Sequence, residues 1–332
     1  MTAAADAGHA GAERGGPARK EVVATAAEAA ARVTDGMTII IGGFVTANHP
    51  MPIVRELIKR GIGDLTVIGS ATAGLEIDLL IGAGCVRKLI APYVGAELYA
   101  PIGNCFRAAA ESKEIEIWEC SEYILYAGLQ ARAMGQEFMA WRGGVGTSIP
   151  ELNSDLVVFQ SPLGDGKEYL AVPAIGADWG FIHVGWADAY GNGQHVGARF
   201  GDRVLARAAD RVAVCAERLV PNSYIRRNPV MTSIPYADLV VEAPFGSHPY
   251  AAHGFYAEDA EHILAYVAAS AAYRKGDRAA FRAYLDEWVT GPEDHDAYLE
   301  KVGIRRLLEL EREYAGVSLG RHAPEGWPDG GF

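Results

Sequence analysis

Two glycine-rich turns and one glutamate are the places in this 332-residue chain where residue types and spacing suit chemistry. The stretch "DGMTIIIGGFVTANHP" ends an apolar run in Gly42, Gly43 and Phe44. Glycines at a strand's carboxyl end mark either a tight turn or a ligand edge, because bare backbone permits strained dihedrals and close approach. A second turn, "RGGVGTS" at 142–148, sets flexible amides beside Arg142 and two hydroxyls, which suits an oxyanion or a carboxylate. Glu122 follows Ser121 at the start of a predicted helix. Ser121 and Glu122 read either as a cap and a dipole-complementing acid, or as a carboxylate at a strand-to-helix switch that acts as base or acid. Spacing alone leaves both accounts open.

Other chemistries find no support. "IGGF" is not the G-x-G-x-x-G of a dinucleotide site, no phosphate-binding G-x-x-x-x-G-K-[ST] occurs, and no G-x-S-x-G elbow supports a serine hydrolase. His248 and His253 lack the helical spacing of a zinc site and Pro249 stands between them, so no metal is expected. His183, in "FIHVGW", reads as a core histidine, and "DHD" at 294–296 as a helix cap. Cys85, Cys105, Cys120 and Cys215 form no C-x-x-C pair and read as buried thiols of a reducing compartment.

Alternating helical and strand periods must position these turns. "MTIII", "LTVIGS", "VRKLIAP", "IEIWEC", "DLVVFQ", "YLAVPAI", "WGFIHVGWAD", "RVAVCAE" and "ADLVVEAP" read as strands. "EVVATAAEAAARV", "PMPIVRELIKR", "AGLEIDLLIGAG" and "SEYILYAGLQARAMG" read as helices, and 258–315 is helical by pattern. The alternation predicts an α/β fold: an open, mostly parallel sheet with helices on both faces and a helical C-terminal extension. Residues 1–19 read as a disordered tail and 20–320 as a single domain. Ligands of such sheets collect beyond the strand carboxyl ends, which puts Gly42, Gly43, Phe44, Ser70, Glu122 and the 142–148 turn on one edge. A formal net charge of −12 argues against nucleic acid and anionic membrane as partners. With neither a signal-peptide core nor a membrane-length apolar run, the protein is expected in the cytoplasm.

The opening stretch resembles the signature of family I coenzyme A transferases: an Asp-Gly turn, a hydrophobic strand, Gly-Gly-Phe and then Pro50, with Asn48 at the signature's later glycine. "GIGDLTVIGS", "IGAGCVRKLIAPYVG", "YIRRNPV", "EAPFGSHPYAAHGFY" and "DEWVTGPEDHDAYLEKVG" are similar to the alpha subunit of the glutaconate type. The resemblance implies a thioester substrate, coenzyme A carrying an acyl group, and no tightly bound cofactor. It further implies a partner beta subunit, in a heterodimer assembling to a heterotetramer or larger. That subunit carries the nucleophilic glutamate in a Ser-Glu-Asn-Gly motif absent from this chain. Gly42, Gly43, Phe44, Ser70, Gly143 and Gly144 would then line the site.

The stretch "WECSEYILYAGLQARAMGQEFMAWRGGVGTSIP" also resembles the alpha chain of the ring-opening hydrolase of steroid catabolism. In that relative a glutamate and an arginine, here matched by Glu122 and Arg142, cleave a carbon–carbon bond of a cyclic CoA ester. Some Arg or Lys must also meet the phosphates of coenzyme A; Arg226 and Arg227 are adjacent candidates between which the sequence does not choose.

Overall fold

The β-branched run after the Asp35–Gly36 turn forms strand β1 (Thr38–Ile41). Its isoleucines serve two cores. Ile39 and Ile41 pack with Leu57 and Leu79 on one face of the sheet, and Ile40 with Ile124 and Leu205 on the other. Alternate residues of a strand point to opposite faces, so a run with no polar interruption is what a sheet covered on both sides requires. Each buried isoleucine contributes about 1.5–3 kcal/mol.

The computed structural model describes residues 20–318, and the predicted tail at 1–19 lies outside them. After β1 come β2 (Leu65–Ile68), β3 (Val86–Ile90) and β4 (Glu116–Ile117). They are followed by β5 (Phe138–Trp141), β6 (Val157–Gln160), β7 (Glu168–Pro173) and β8 (Ala177–Ala187). The last four are β9 (Gly193–Gln194), β10 (Ala209–Leu219), β11 (Thr232–Ile234) and β12 (Leu239–Glu242). Strands β4, β3, β2, β1, β8, β10 and β12 lie side by side in that order, all parallel. The short β9 and β11 extend the β8 end with antiparallel pairs. The chain builds outward from β1 to β4, returns, and builds the other way from β8 to β12. Strand order therefore reverses between β1 and β8, and the carboxyl end of β1 stands at that switch point.

Three segments depart from the predicted pattern. "DLVVFQ" and "YLAVPAI" are β6 and β7, and they join β5 in a separate antiparallel sheet of order β5-β7-β6. Residues 161–167 are too few for the crossover of a dozen or more residues that a parallel pair demands, so the two strands pair as a hairpin. Leu170 and Val172 face inward and are buried. The register places Phe138, Ala140, Tyr169, Ala171, Pro173, Val157 and Phe159 on the outer face, which is apolar throughout. The predicted helix at 21–33 shortens to Ala26–Ala30: Thr25 and Glu28 form a capping box, and Val23 bridges to Val240.

The C-terminal helices are Ala260–Arg274, Arg278–Leu285, His295–Val302 and Ile304–Ser318. Buried Arg55, on helix Met51–Lys59, ties them to the core. Its guanidinium lies 3.7 Å from the Tyr298 ring centroid, and it donates to His295 Nδ1 at 3.1 Å and to the His248 carbonyl at 3.3 Å. His295 Nε2–H donates to the Pro244 carbonyl at 2.7 Å, and Arg306 donates twice to Asp259, at 3.2 and 3.0 Å. His248 stands between Tyr298 Oη, at 2.7 Å, and Asp259 Oδ2, at 3.2 Å. Burial pushes His262 and His295 down to about 3, with the Arg55 charge adding to it, and holds His248 below the usual range.

These depressed values make the lobe sensitive to acid. A histidine kept neutral in the fold contributes stability that is complete above its unfolded pKa near 6.5 and is lost as pH falls toward 3. Between pH 7 and pH 5, His262 and His295 each give up about 2 kcal/mol. Buried Glu76 and Asp78, pushed up to about 8 and about 6, gain about 4 kcal/mol over the same interval and offset these two histidines, while buried His49, pushed down to about 4, gives up about 2 kcal/mol more and makes the balance a net loss. The melting temperature is expected to drop on going from pH 7 to pH 5, and to drop less in His262→Gln. An equal drop in the variant would place the acid sensitivity elsewhere.

Candidate functional site

Gly42, Gly43 and Phe44 leave the sheet at the switch point. A side chain on Gly42 would come within 2.7 Å of both Asp202 Oδ1 and Ile182 Cδ1. Gly43 takes φ +100°, and a Cβ there would lie 2.5 Å from His49 Nδ1. The two glycines are thus required by buried acid–histidine pairs on either side of the turn. On one side, Asp202 accepts the Gly43 amide at 3.0 Å and His195 Nε2–H at 2.8 Å, while Ser233 Oγ lies 2.6 Å from His195 Nδ1. Exposures of 5, 1 and 0% for Ser233, His195 and Asp202 keep this row away from solvent, so it holds the turn instead of attacking a substrate.

On the other side, His49 Nδ1 lies 3.3 Å from Glu76 Oε2 and Nε2 lies 3.2 Å from the Val45 carbonyl. Burial pushes Glu76 up to about 8 and His49 down to about 4, so at neutral pH both groups are uncharged. The backbone amides of Gly42, Gly43 and Phe44 donate to Phe181 O, Asp202 Oδ1 and Ala47 O. All three are satisfied within the chain, which leaves oxyanion donors to be sought elsewhere.

Phe44 stacks on Phe200 with centroids 4.7 Å apart and planes 7° from parallel. With Glu122, Tyr126, Gly201, Arg203 and Val204 these rings line an open cleft of about 420 Å³. Glu122 begins helix Glu122–Ala133, whose cap Ser121 accepts the Ile124 amide at 3.4 Å. Capping therefore holds, and so does the placement of the carboxylate on the cleft wall, with Tyr126 one turn behind it.

The 142–148 turn packs from the small sheet onto the helix of Glu122, and none of its residues is among those lining the cleft. Gly144, at φ +97°, brings it onto Ile124 and Leu170, where a Cβ would sit 3.0 Å from each. Among the described residues the amides of Gly143, Gly144 and Gly146 have no acceptor, unlike those of the first turn. Arg142 is exposed, its guanidinium 6.0 Å from the Tyr169 ring, and no carboxylate lies within 4.0 Å of it among the described residues. Glu122 lines the cleft, Arg142 stands outside its lining on a turn packed against the same helix, and the two form no ion pair. Ser70, expected to line the site, is 1% exposed with no partner for its hydroxyl and is not among the residues lining the cleft.

Asp202, His195 and Phe200 do not stand out in the sequence, because residues 188–201 follow neither a strand nor a helical period. One available signal is Gly201-Asp202 ahead of "RVLARA", a turn followed by an acid at a helix start. Among the described residues no helix is long and apolar enough to cross a membrane, and no group of three or more His, Cys, Asp or Glu is disposed to hold a metal ion.

An open parallel sheet with a glycine-bounded cleft at its switch point defines the architecture of a small-molecule enzyme. The Coenzyme A transferase family profile matches residues 23–243, and the chain belongs to that family. It is 31% identical to one of the subunits of glutaconate CoA-transferase from Acidaminococcus fermentans, over 84% of this chain and 91% of that one. The crystal structure of that transferase superposes with a TM-score of 0.82, covering 87% of this chain and 95% of the other. The cholesterol ring-cleaving hydrolase IpdA subunit of Mycobacterium tuberculosis is 28% identical over 84% of this chain and 97% of its own. An uncharacterized protein of Archaeoglobus fulgidus is 37% identical over 84% of this chain, which spans 62% of that relative's length.

Proposed function

We propose that this chain is the alpha subunit of a hetero-oligomeric CoA transferase that moves CoA between an acyl-CoA and a small carboxylic acid. The observation that carries the reading is the agreement with glutaconate CoA-transferase over 87% of the chain, C-terminal helices included. The cleft and the adjoining turn support it. Phe44 and Phe200 give the cleft an apolar wall for an acyl group, and Gly143, Gly144, Gly146 and Arg142, on a turn packed against the helix that carries Glu122, supply donors for an oxyanion brought to them. The nucleophile comes from the partner beta subunit. Its glutamate oxygen bonds to the thioester carbon as the CoA thiolate leaves, giving an acyl anhydride. The thiolate then attacks the glutamyl carbonyl, releases the first acid and forms a glutamyl thioester, which an acceptor carboxylate reverses.

A second reading, a C–C hydrolase acting on a CoA ester, is favoured by one feature: Glu122 stands on the cleft wall with Arg142 on the adjoining turn. The complex of this chain with its partner separates the two. Incubated with a panel of acyl-CoAs and analysed by mass spectrometry, it is expected to form acetyl-CoA or succinyl-CoA only when acetate or succinate is added. Glu122→Gln is expected to keep at least about a tenth of that rate, since the carboxylate is then not the attacking group. Acid-independent addition of water to one CoA ester, abolished in Glu122→Gln with the complex intact, would overturn the transferase reading.

A further inference from the structure

The edge that holds the cleft continues into a second chemical pattern. β10 runs parallel to β8 and β1, so Arg218 near its carboxyl end, and helix Asn222–Ile225 after it, stand on the same side of the sheet as Phe44. Arg218 lies 5.6 Å from the Phe255 ring centroid and Arg227 lies 5.9 Å from that of Tyr224. Trp186, near the end of β8, joins the two, its centroid 6.2 Å from Phe255 and 5.3 Å from Tyr224. Two residues before Phe255, His253 lies 5.5 Å from Phe200, so the strip runs into the cleft without a break.

Its arginines are unneutralised. Among the described residues neither Arg218 nor Arg227 has a carboxylate oxygen within 4.0 Å, and the same holds for Arg203 on the cleft wall. This occurs in a chain with 42 acidic and 30 basic residues. Among the described residues Arg87, Arg107, Arg132, Arg278, Arg305 and Arg306 are paired and Arg60, Arg142, Arg199, Arg211 and Arg226 are not, so what marks the strip is that two free guanidinium groups are joined by one run of rings that reaches the cleft. Glu242 on β12 is occupied by the Leu219 amide at 3.0 Å. A guanidinium lying over a ring keeps its fork free for a phosphate, and the rings beside it offer a flat base a stacking surface.

We infer that this strip binds the nucleotide end of the thioester substrate, a purine nucleotide bearing several phosphates, with the phosphates on Arg218 and Arg227 and the purine against Trp186 and Tyr224. The inference rests on the CoA-thioester reading and adds to it the place where the substrate's charged end is held. It also separates two neighbours: among the described residues Arg227 has an aromatic seat and Arg226 has none.

Titration calorimetry on the complex with its partner tests it, with coenzyme A and adenosine 3′,5′-bisphosphate as probes. Arg218→Gln and Arg227→Gln are each expected to weaken both probes about tenfold, as loss of a charged hydrogen bond does. Arg227→Lys recovers part of the loss, and added salt weakens the wild type more steeply than the double variant. Pantetheine, which lacks the nucleotide, binds wild type and variants alike. Unchanged coenzyme A affinity in the double variant, with the wild type binding, would overturn the strip and leave the CoA-thioester reading standing. A wild-type complex that binds no coenzyme A would overturn both. Loss of the partner chain from the variants on gel filtration would show the strip to be a protein contact and overturn the inference.

Discussion

Arg55→Ala is expected to destabilise the protein by about 3–5 kcal/mol, the sum of two stranded buried hydrogen-bonding groups and the void left by the side chain. The guanidinium is 5% exposed and is shared by two elements distant in sequence. Its loss leaves the His248 carbonyl and His295 Nδ1 without their donor and opens a void against the Tyr298 ring. The damage passes to the site. His49 N–H donates to Ser247 Oγ at 3.0 Å and His253 N–H to Asn48 Oδ1 at 3.1 Å, so the segment carrying His248 also braces the back of the Phe44 turn. Urea unfolding measures the energy, and hydrogen exchange is expected to show helices His295–Val302 and Ile304–Ser318 losing protection first. A loss below about 1 kcal/mol would mean that apolar packing alone holds the lobe.

Asp202→Ala ranks second in stability and first in effect on the cleft. The carboxylate is fully buried, and truncation strands the Gly43 amide and His195 Nε2 together. Each stranded group costs about 1–3 kcal/mol. Phe200 lies two residues before Asp202 and stacks on Phe44, one residue after Gly43, so the same carboxylate fixes both halves of the aromatic wall. Turnover by the complex is expected to fall about tenfold to a hundredfold, the cost of misplacing a substrate by an ångström. Asp202→Asn keeps the shape and one acceptor oxygen, so it is expected to fall between wild type and alanine. Thermal melting together with turnover at saturating substrate checks this; an unaltered rate in a destabilised Asp202→Ala would show that the wall does not need its clamp.

The parallel sheet was legible because its strands are apolar on both faces, as in Ile39 to Ile41, and are bounded by turn residues. The small sheet was not, because "YLAVPAI" is as apolar as a central strand. Only the shortness of the 161–167 connection separates a hairpin from a crossover. The position of Phe44 and Glu122 at element ends was legible, and the two residues line one cleft. What two glycines accommodate is a long-range matter. Asp202 lies 159 residues from Gly43, and no local pattern announces that an acid will stand there. The same holds for Arg55, whose partner His295 lies 240 residues away and which reads in sequence as one cation of an amphipathic helix.

The outer face of the β5-β7-β6 sheet bears on how the protein can be made. Phe138 and Val157 are 49% and 57% exposed on it, β6 is a free edge, and Leu163 in the adjoining loop is 87% exposed. A face of this kind, left in water, seeks another like it, and an unpaired strand beside it offers a template for continued stacking. A copy produced without a cover is thus at risk of precipitating, however well its own core is packed. Yield on expression is then set by the balance between synthesis of this chain and synthesis of whatever shields the face. A surplus of the chain is a burden on the cell's chaperones before it is a gain in catalyst.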